Sequence, residues 1–347
     1  MLAFQRPIRV PAESERIVQR LFSGVQPSGE LHIGNYLGAI QNWVGLQELF
    51  ECIFCVVDYH AITQPYDTAA MQGRILDAAT WILACGVDPE KATLFVQSDV
   101  PEHTELAWIL NSVATMGDLG RMTQFKEKAE QQASVNAGIF TYPVLQTADI
   151  ILYKAELVPV GEDQVQHLEL SREIVRSFNY RYGVTFPEPQ ARIGVARRVL
   201  GLDGQFKMSK SRGNAITLSE SEASIMAKLA PAVTDVNRKR LKDPGDPEKC
   251  NVYSLHQYFD RPEVLEDVAL QCRTAGRGCL DCKKILHRHM VDALAPIRER
   301  AAELQAHPQR VLDVLAAGAE HCRTLARETL HEVRDRMGLL RPGGRVS

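Results

Sequence analysis

Short, continuous apolar runs alternate with stretches of helical periodicity in the front half of the chain, and this alternation limits the fold more than any other feature. Residues 20–25 read as a strand ended by Pro27-Ser28-Gly29, and the spacing predicts a helix over 34–49. The run 51–57 (ECIFCVV) reads as a buried strand closed by Asp58. A helix over 67–85 with Asp67 as N-cap, a strand over 92–96 and a helix over 102–115 complete the pattern. Strands without polar alternation are covered on both faces, which a parallel sheet with helical crossovers provides. The expected fold class is therefore α/β, with a Rossmann-like, doubly wound parallel sheet. Such sheets bind ligands beyond the strands' carboxyl ends. The turn from Pro27 to Asn35, Asp58 and Ser98 all follow predicted strands.

The back half differs. Residues 201–217 are rich in Gly, Lys and Ser and read as a mobile loop, 242–250 as an irregular linker, and 219–341 as mostly helical. We expect an extension over 1–20, a catalytic domain over 21–217 and an all-helical domain over 218–347. The length of 347 residues suits two domains. A net charge of −3 argues against bulk polyanion binding. It conceals a split: residues 1–150 hold 9 Lys+Arg against 17 Asp+Glu, and the remainder carries +5. The longest clean apolar run, Cys52 to Val57, is far short of the ~20 residues that span a bilayer. Residues 1–20 lack the apolar core of a leader, and eight cysteines are too sparse for a disulfide scaffold. The expectation is a cytoplasmic protein with reduced thiols and no membrane or DNA partner.

Three stretches and a set of cysteines carry chemistry. In the first, GVQPSGELHIGN (24–35), a strand enters a Gly/Ser turn and then a helix start. Unpaired N–H groups and the positive dipole end there suit a phosphate, and His32 adds a donor. An ordinary strand–helix turn is the plain alternative. Gly29 and Gly34 have P-loop spacing, but Asn35-Tyr36 stands where Lys-Ser/Thr is required. The second stretch, Lys207-Met208-Ser209-Lys210-Ser211, sets two lysines on a Gly-flanked loop that could close over a triphosphate. In the third, YPVLQTADIILY (142–153), Pro143 suits a first helical turn. Tyr142, Gln146 and Asp149 then fall at i, i+4 and i+7 on one face. Such a stripe either lines a selective pocket or ties a buried helix to its neighbours.

Cys250, Cys272, Cys279 and Cys282 form a C-x21-C-x6-C-x2-C pattern, whereas Cys52, Cys55, Cys85 and Cys322 sit in apolar contexts and read as core. The C-x2-C turn is a two-ligand clip for Zn²⁺ or an iron–sulfur cluster. Arg273, Arg277, Lys283, Lys284 and Arg288 surround it with positive charge suited to RNA.

His32-Ile33-Gly34-Asn35 and the KMSKS string together resemble the two signatures of class I aminoacyl-tRNA synthetases. With 22–40, 57–63, 122–128, 142–153 and 158–164, the chain resembles the bacterial-type tryptophanyl-tRNA synthetases. The resemblance implies a tryptophan–tRNA ligase that uses ATP with Mg²⁺, L-tryptophan and tRNA(Trp), and that forms a homodimer. It places Asp149 as acceptor of the indole N–H and Phe22, Val158 and Val160 around the ring. Tyr142 and Gln164 fall at the ammonium, with Gln26 and His60 nearby. His32, Gly34, Asn35, Lys207 and Lys210 become the catalytic set. Gln26, Pro27, Ser28, Lys128, Gly161, Glu162, Asp163, Val199, Met208, Ser209 and Ser211 join them at ATP, and Lys126 pairs with Lys128. Gln146 departs from the family, many members of which carry Met there. Some members hold a 4Fe–4S cluster on a four-cysteine pattern close to this one, its first spacing about one residue longer; this implies a cluster here, with Zn²⁺ or a loop of unligated thiols as the alternatives. The rival functional readings are a tyrosyl-tRNA synthetase and a synthetase paralogue with a regulatory or partner-binding role.

Overall fold

A computed structural model describes residues 19–340, apart from 124, 127–134, 162–163 and 193–198. Five strands form one parallel sheet: β1 (Arg20–Val25), β2 (Glu51–Val56), β3 (Ala92–Val96), β4 (Leu157–Pro159) and β5 (Gln190–Arg192), in the order β3-β2-β1-β4-β5. The order reverses beside β1, so the crevice between the carboxyl ends of β1 and β4 is the switch point where such sheets take ligands.

Period-two alternation divides each central strand between two cores. Leu21, Cys52, Phe54, Leu94 and Val96 face one layer, where Trp43 stacks on Phe54 at 4.4 Å between ring centroids. Phe22, Ile53, Cys55 and Phe95 face the other, under the helices Glu102–Asn111, Ala137–Ile151 and Val165–Tyr182. Burial on both faces is why β2 is apolar without interruption.

The stretch read as one helix over 34–49 starts at Ile33, passes through a π turn at Tyr36–Ile40 and ends at Leu46. The helix read as starting at Tyr142 begins at Ala137, capped by the Asn136 side chain on the Ile139 N–H. Pro143 is therefore interior, and no N–H from it reaches the Ile139 carbonyl. The loop over 201–217 is tied down at its base. The Met208 N–H donates to the Val199 carbonyl at 3.0 Å, and the Asn214 side chain joins the Ser209 N–H to the Asp203 carboxylate.

The back half is helical: Glu222–Leu229, Asn251–Phe259, Pro262–Arg273, Cys279–Ala306 and Pro308–Met337. Its last helix returns to the sheet and covers the edge strand β3. Gly318 makes that approach possible, because a Cβ there would stand 2.1 Å from the Leu94 carbonyl oxygen. Among the described residues, no helix is long and apolar enough to cross a membrane.

Candidate active site

A cavity of about 290 Å³ opens at the switch point. Its floor comes from β1 and β4 through Phe22, Ser23, Gly24, Val158, Pro159 and Val160. The helical stripe Tyr142, Gln146 and Asp149 forms one wall, and Gln26, His60, Thr63 and Gln164 complete the polar lining. All nine residues expected around tryptophan thus line one cavity.

The stripe is both a pocket wall and a polar tie. Asp149 is almost fully buried, and its Oδ1 accepts hydrogen bonds at 2.7 Å from Gln97 Nε2 and from His103 Nδ1. His60 Nε2 lies 2.7 Å from Oδ2. Burial pushes this carboxyl up, but the contacts with His60 and His103 outweigh it and hold the group well below the usual carboxylate range. Behind His103, the Tyr153 hydroxyl lies 2.7 Å from Nε2. Tyr142 meets His167 Nε2 at 2.7 Å, and burial pushes its phenol up to about 12. Gln97, His103 and Tyr153 are absent from the sequence-based site. Gln97 directly follows β3, one residue before Ser98, where the sheet rule points. His103 has no local signature at all.

Beyond the cavity, the two distant signatures meet. His32 bridges to Thr217, the Ile33 N–H donates to the Ile216 carbonyl at 2.9 Å, and the Leu218 N–H donates to the Leu31 carbonyl at 2.9 Å. His32 caps the helix start at Ile33: its Nδ1 accepts from the Asn35 N–H, while Asn35 Oδ1 accepts from the His32 N–H. Burial, aided by the charge of Lys207, lowers the His32 pKa to about 4. The ring is therefore neutral at pH 7 with its proton on Nε2. A Cβ at Gly34 would meet the His32 ring at 2.9 Å and the Met208 Cβ at 3.1 Å. Met208 and Val199 are buried side by side, while Lys207 and Lys210 are exposed. Lys210 Nζ lies 2.8 Å from Glu30 Oε2.

Pro27 is buried and Ser28 exposed on the turn after β1, and Gly161, just past β4, accepts the Gln164 N–H. Lys126 is exposed. Lys128, Glu162 and Asp163 lie outside the described residues, as does the Ser211 side chain.

These observations place an amino-acid-sized cavity beside a cationic loop at one end of a Rossmann-like sheet. The family model for tRNA synthetases class I (W and Y) matches residues 15–295. The chain belongs to that family. It is 50% identical to the tryptophan–tRNA ligase of Deinococcus radiodurans, over 93% of this chain and all of the relative. Identity to the Thermotoga maritima tryptophan–tRNA ligase is 45%, over 92% of this chain and 99% of the relative. Among solved structures, the tryptophanyl-tRNA synthetase of Campylobacter jejuni, complexed with ADP and tryptophan, superposes with a TM-score of 0.83 at 36% identity. That match covers 92% of this synthetase and all of the other chain.

The fold also gathers the four spaced cysteines. Cys250, Cys272, Cys279 and Cys282 line one small cavity together with Val252, Val268, Arg238 and Arg277. Burial, reinforced by the other three thiols, pushes Cys282 up to about 12. Arg238 donates to Cys279 Sγ at 3.7 Å, and His256 Nε2 lies 3.2 Å from Cys282 Sγ. Among the described residues, no three His, Cys, Asp or Glu side chains are arranged to close on a single metal ion.

Proposed function

We propose that the chain activates L-tryptophan with ATP and transfers it to tRNA(Trp). The carrying observation is the meeting of both class I signatures beside a cavity lined by the buried carboxylate of Asp149. In this reading Asp149 accepts the indole N–H, which makes an amino acid lacking that donor costly to bind. Phe22, Val158 and Val160 enclose the ring, and Tyr142 and Gln164 hold the ammonium, with Gln26 and His60 nearby. Gln146 adds an amide where many relatives carry an apolar side chain.

ATP lies across the sheet edge, its adenine against Val199 and Met208 and its ribose at Gly161, Glu162 and Asp163. The turn Pro27-Ser28 with His32, Gly34 and Asn35 faces the phosphates from one side. Lys207, Ser209 and Lys210 face them from the other, and Ser211, Lys128 and its neighbour Lys126 are assigned to the triphosphate by the family resemblance. The tryptophan carboxylate attacks the α-phosphorus, the bond to the bridging oxygen breaks, and pyrophosphate leaves as its Mg²⁺ complex. No protein nucleophile takes part; neutral His32 donates from Nε2, and the lysines offset the developing charge. The terminal ribose 2′-hydroxyl of the tRNA then attacks the adenylate carbonyl and AMP leaves.

Residues 21–217 form the catalytic domain. The helical region 218–347 reads the anticodon, and its last helix, packed on β3, joins it to the sheet. An iron–sulfur cluster is our reading of the four-cysteine cavity: four thiols line it beside Val252 and Val268, and Arg238 and Arg277 would offset a cluster's negative charge. Cys250, Cys272, Cys279 and Cys282 would hold a 4Fe–4S cluster, which would cross-link three segments of the helical region. Zn²⁺ on the same cysteines is the alternative. A cytoplasmic homodimer is the expected working form. ATP–pyrophosphate exchange tests the activity. Exchange with tryptophan and none with tyrosine is expected; exchange with tyrosine alone would establish the tyrosyl reading, and none with either the regulatory one.

A further inference from the structure

An ionised carboxylate offers about four acceptor positions. Three of those on Asp149 are occupied from within the protein: Gln97 and His103 on Oδ1, His60 on Oδ2. Gln97 and His103 have no solvent exposure and do not line the cavity, whereas Asp149 and His60 do. Oδ1 is thus anchored from behind, by the end of β3 and the first turn of helix Glu102–Asn111, and Oδ2 faces the cavity. Asp149 settles which nitrogen of His103 faces it as a donor. An ionised carboxylate only accepts, so Nδ1 carries the hydrogen that goes to Oδ1, and the fully buried Tyr153 hydroxyl lies 2.7 Å from Nε2 on the far side of the ring.

We infer that His103, with Gln97, is a positioning residue for amino-acid specificity: by occupying Oδ1 it leaves Asp149 one acceptor position, on Oδ2, aimed at a ring N–H in the cavity. Neither residue touches the substrate. Without them the carboxylate turns to recover its lost donors, and the fixed acceptor that separates indole from a ring without N–H is lost. The inference rests on the assignment of Asp149 to the indole.

The probe is β-(benzothiophen-3-yl)alanine, in which sulfur replaces the indole N–H at nearly unchanged shape. Its inhibition constant in ATP–pyrophosphate exchange is compared with the KM for tryptophan. The wild-type chain should prefer tryptophan by about 10-fold or more. His103→Leu, which keeps bulk but no donor, should bring that preference below about 3-fold, chiefly through the tryptophan KM, with the ATP KM little changed. His103→Asn returns a donor near the position of Nδ1 and should restore most of the preference. A packing role predicts the reverse order, because Asn leaves the larger void. A full preference in folded His103→Leu overturns the inference and leaves the Asp149 assignment standing. A wild-type chain that does not distinguish the two ligands overturns the Asp149 assignment itself. Where His103→Leu fails to fold, Gln97→Met decides: it removes the other donor to Oδ1, and an unchanged preference overturns the inference.

Discussion

Gly34 packs against Met208 with no room for a side chain: a Cβ on the glycine would stand 3.1 Å from the Met208 Cβ and 2.9 Å from the His32 ring. Two signatures about 175 residues apart are held at van der Waals contact by a missing methyl group. Gly34→Ala should therefore displace either the imidazole or the lysine loop. Misplacement of about 1 Å costs on the order of 10²-fold in rate, so adenylate formation should fall by that order while tryptophan affinity stays within about 2-fold of wild type. Single-turnover kinetics and tryptophan titration separate the two. Wild-type rates in Gly34→Ala would show that the contact does not position the site.

His32 gives a pH prediction with a definite sign. Its ordinary pKa of 6.5 falls to about 4 in the folded protein through burial and the Lys207 charge. A lowered histidine pKa means that the unfolded chain binds the proton more readily. Its contribution to stability is complete above about pH 6.5 and is lost as the pH falls toward 4. The His32 ring signals in an NMR titration should move with a midpoint near 4 and stay flat through pH 6.5. A midpoint near 6.5 would show that burial and Lys207 do not depress the ring's pKa.

The return of the last helix to the sheet rests on Gly318, where a Cβ would lie 2.1 Å from the Leu94 carbonyl oxygen. The obstacle is backbone, so it cannot rotate away. Gly318→Val should destabilise the chain by at least about 2 kcal/mol through overpacking. Gly73, which has nothing within 4 Å of such a Cβ, supplies the control. Gly73→Ala should be neutral or mildly stabilising, as expected for an exposed helical glycine. Denaturant unfolding of both variants measures the difference.

For the cysteine cavity, an anaerobic preparation should be brown and contain about four irons per chain. Cys279→Ser should lower the iron content and bleach the visible absorbance, while Cys85→Ser, in the core of the sheet domain, should leave both unchanged. A colourless preparation without iron or zinc would remove the metal readings.

Much of the fold was legible in the sequence. The run 51–57 is apolar because both of its faces are covered, and β1, β2 and β3 lie where that pattern put them. The i, i+4, i+7 stripe of Tyr142, Gln146 and Asp149 lines the cavity because helical period alone sets it on one face. Pro143 misleads as a start signal: the helix begins at Ala137, with Asn136 supplying the cap. His103 escapes notice for a different reason. A single histidine on a helix has no spacing to read, and its meaning lies in Asp149 and Tyr153, residues 46 and 50 positions away.

The sequence by itself determined the local chemistry: that the runs of β1, β2 and β3 are strands, which turn follows β1, which lysines share a loop and which four cysteines stand apart from the core. Periodicity, capping and composition are local properties, and a linear string records them fully. Only the tertiary structure decided what meets what. It set Gly34 against Met208, filled three of the four acceptor positions of Asp149, brought the four cysteines around one cavity and laid the last helix on β3. Those contacts arise from close packing and from the demand that buried polar groups find partners. Both are settled by the whole chain in three dimensions and leave no pattern along it.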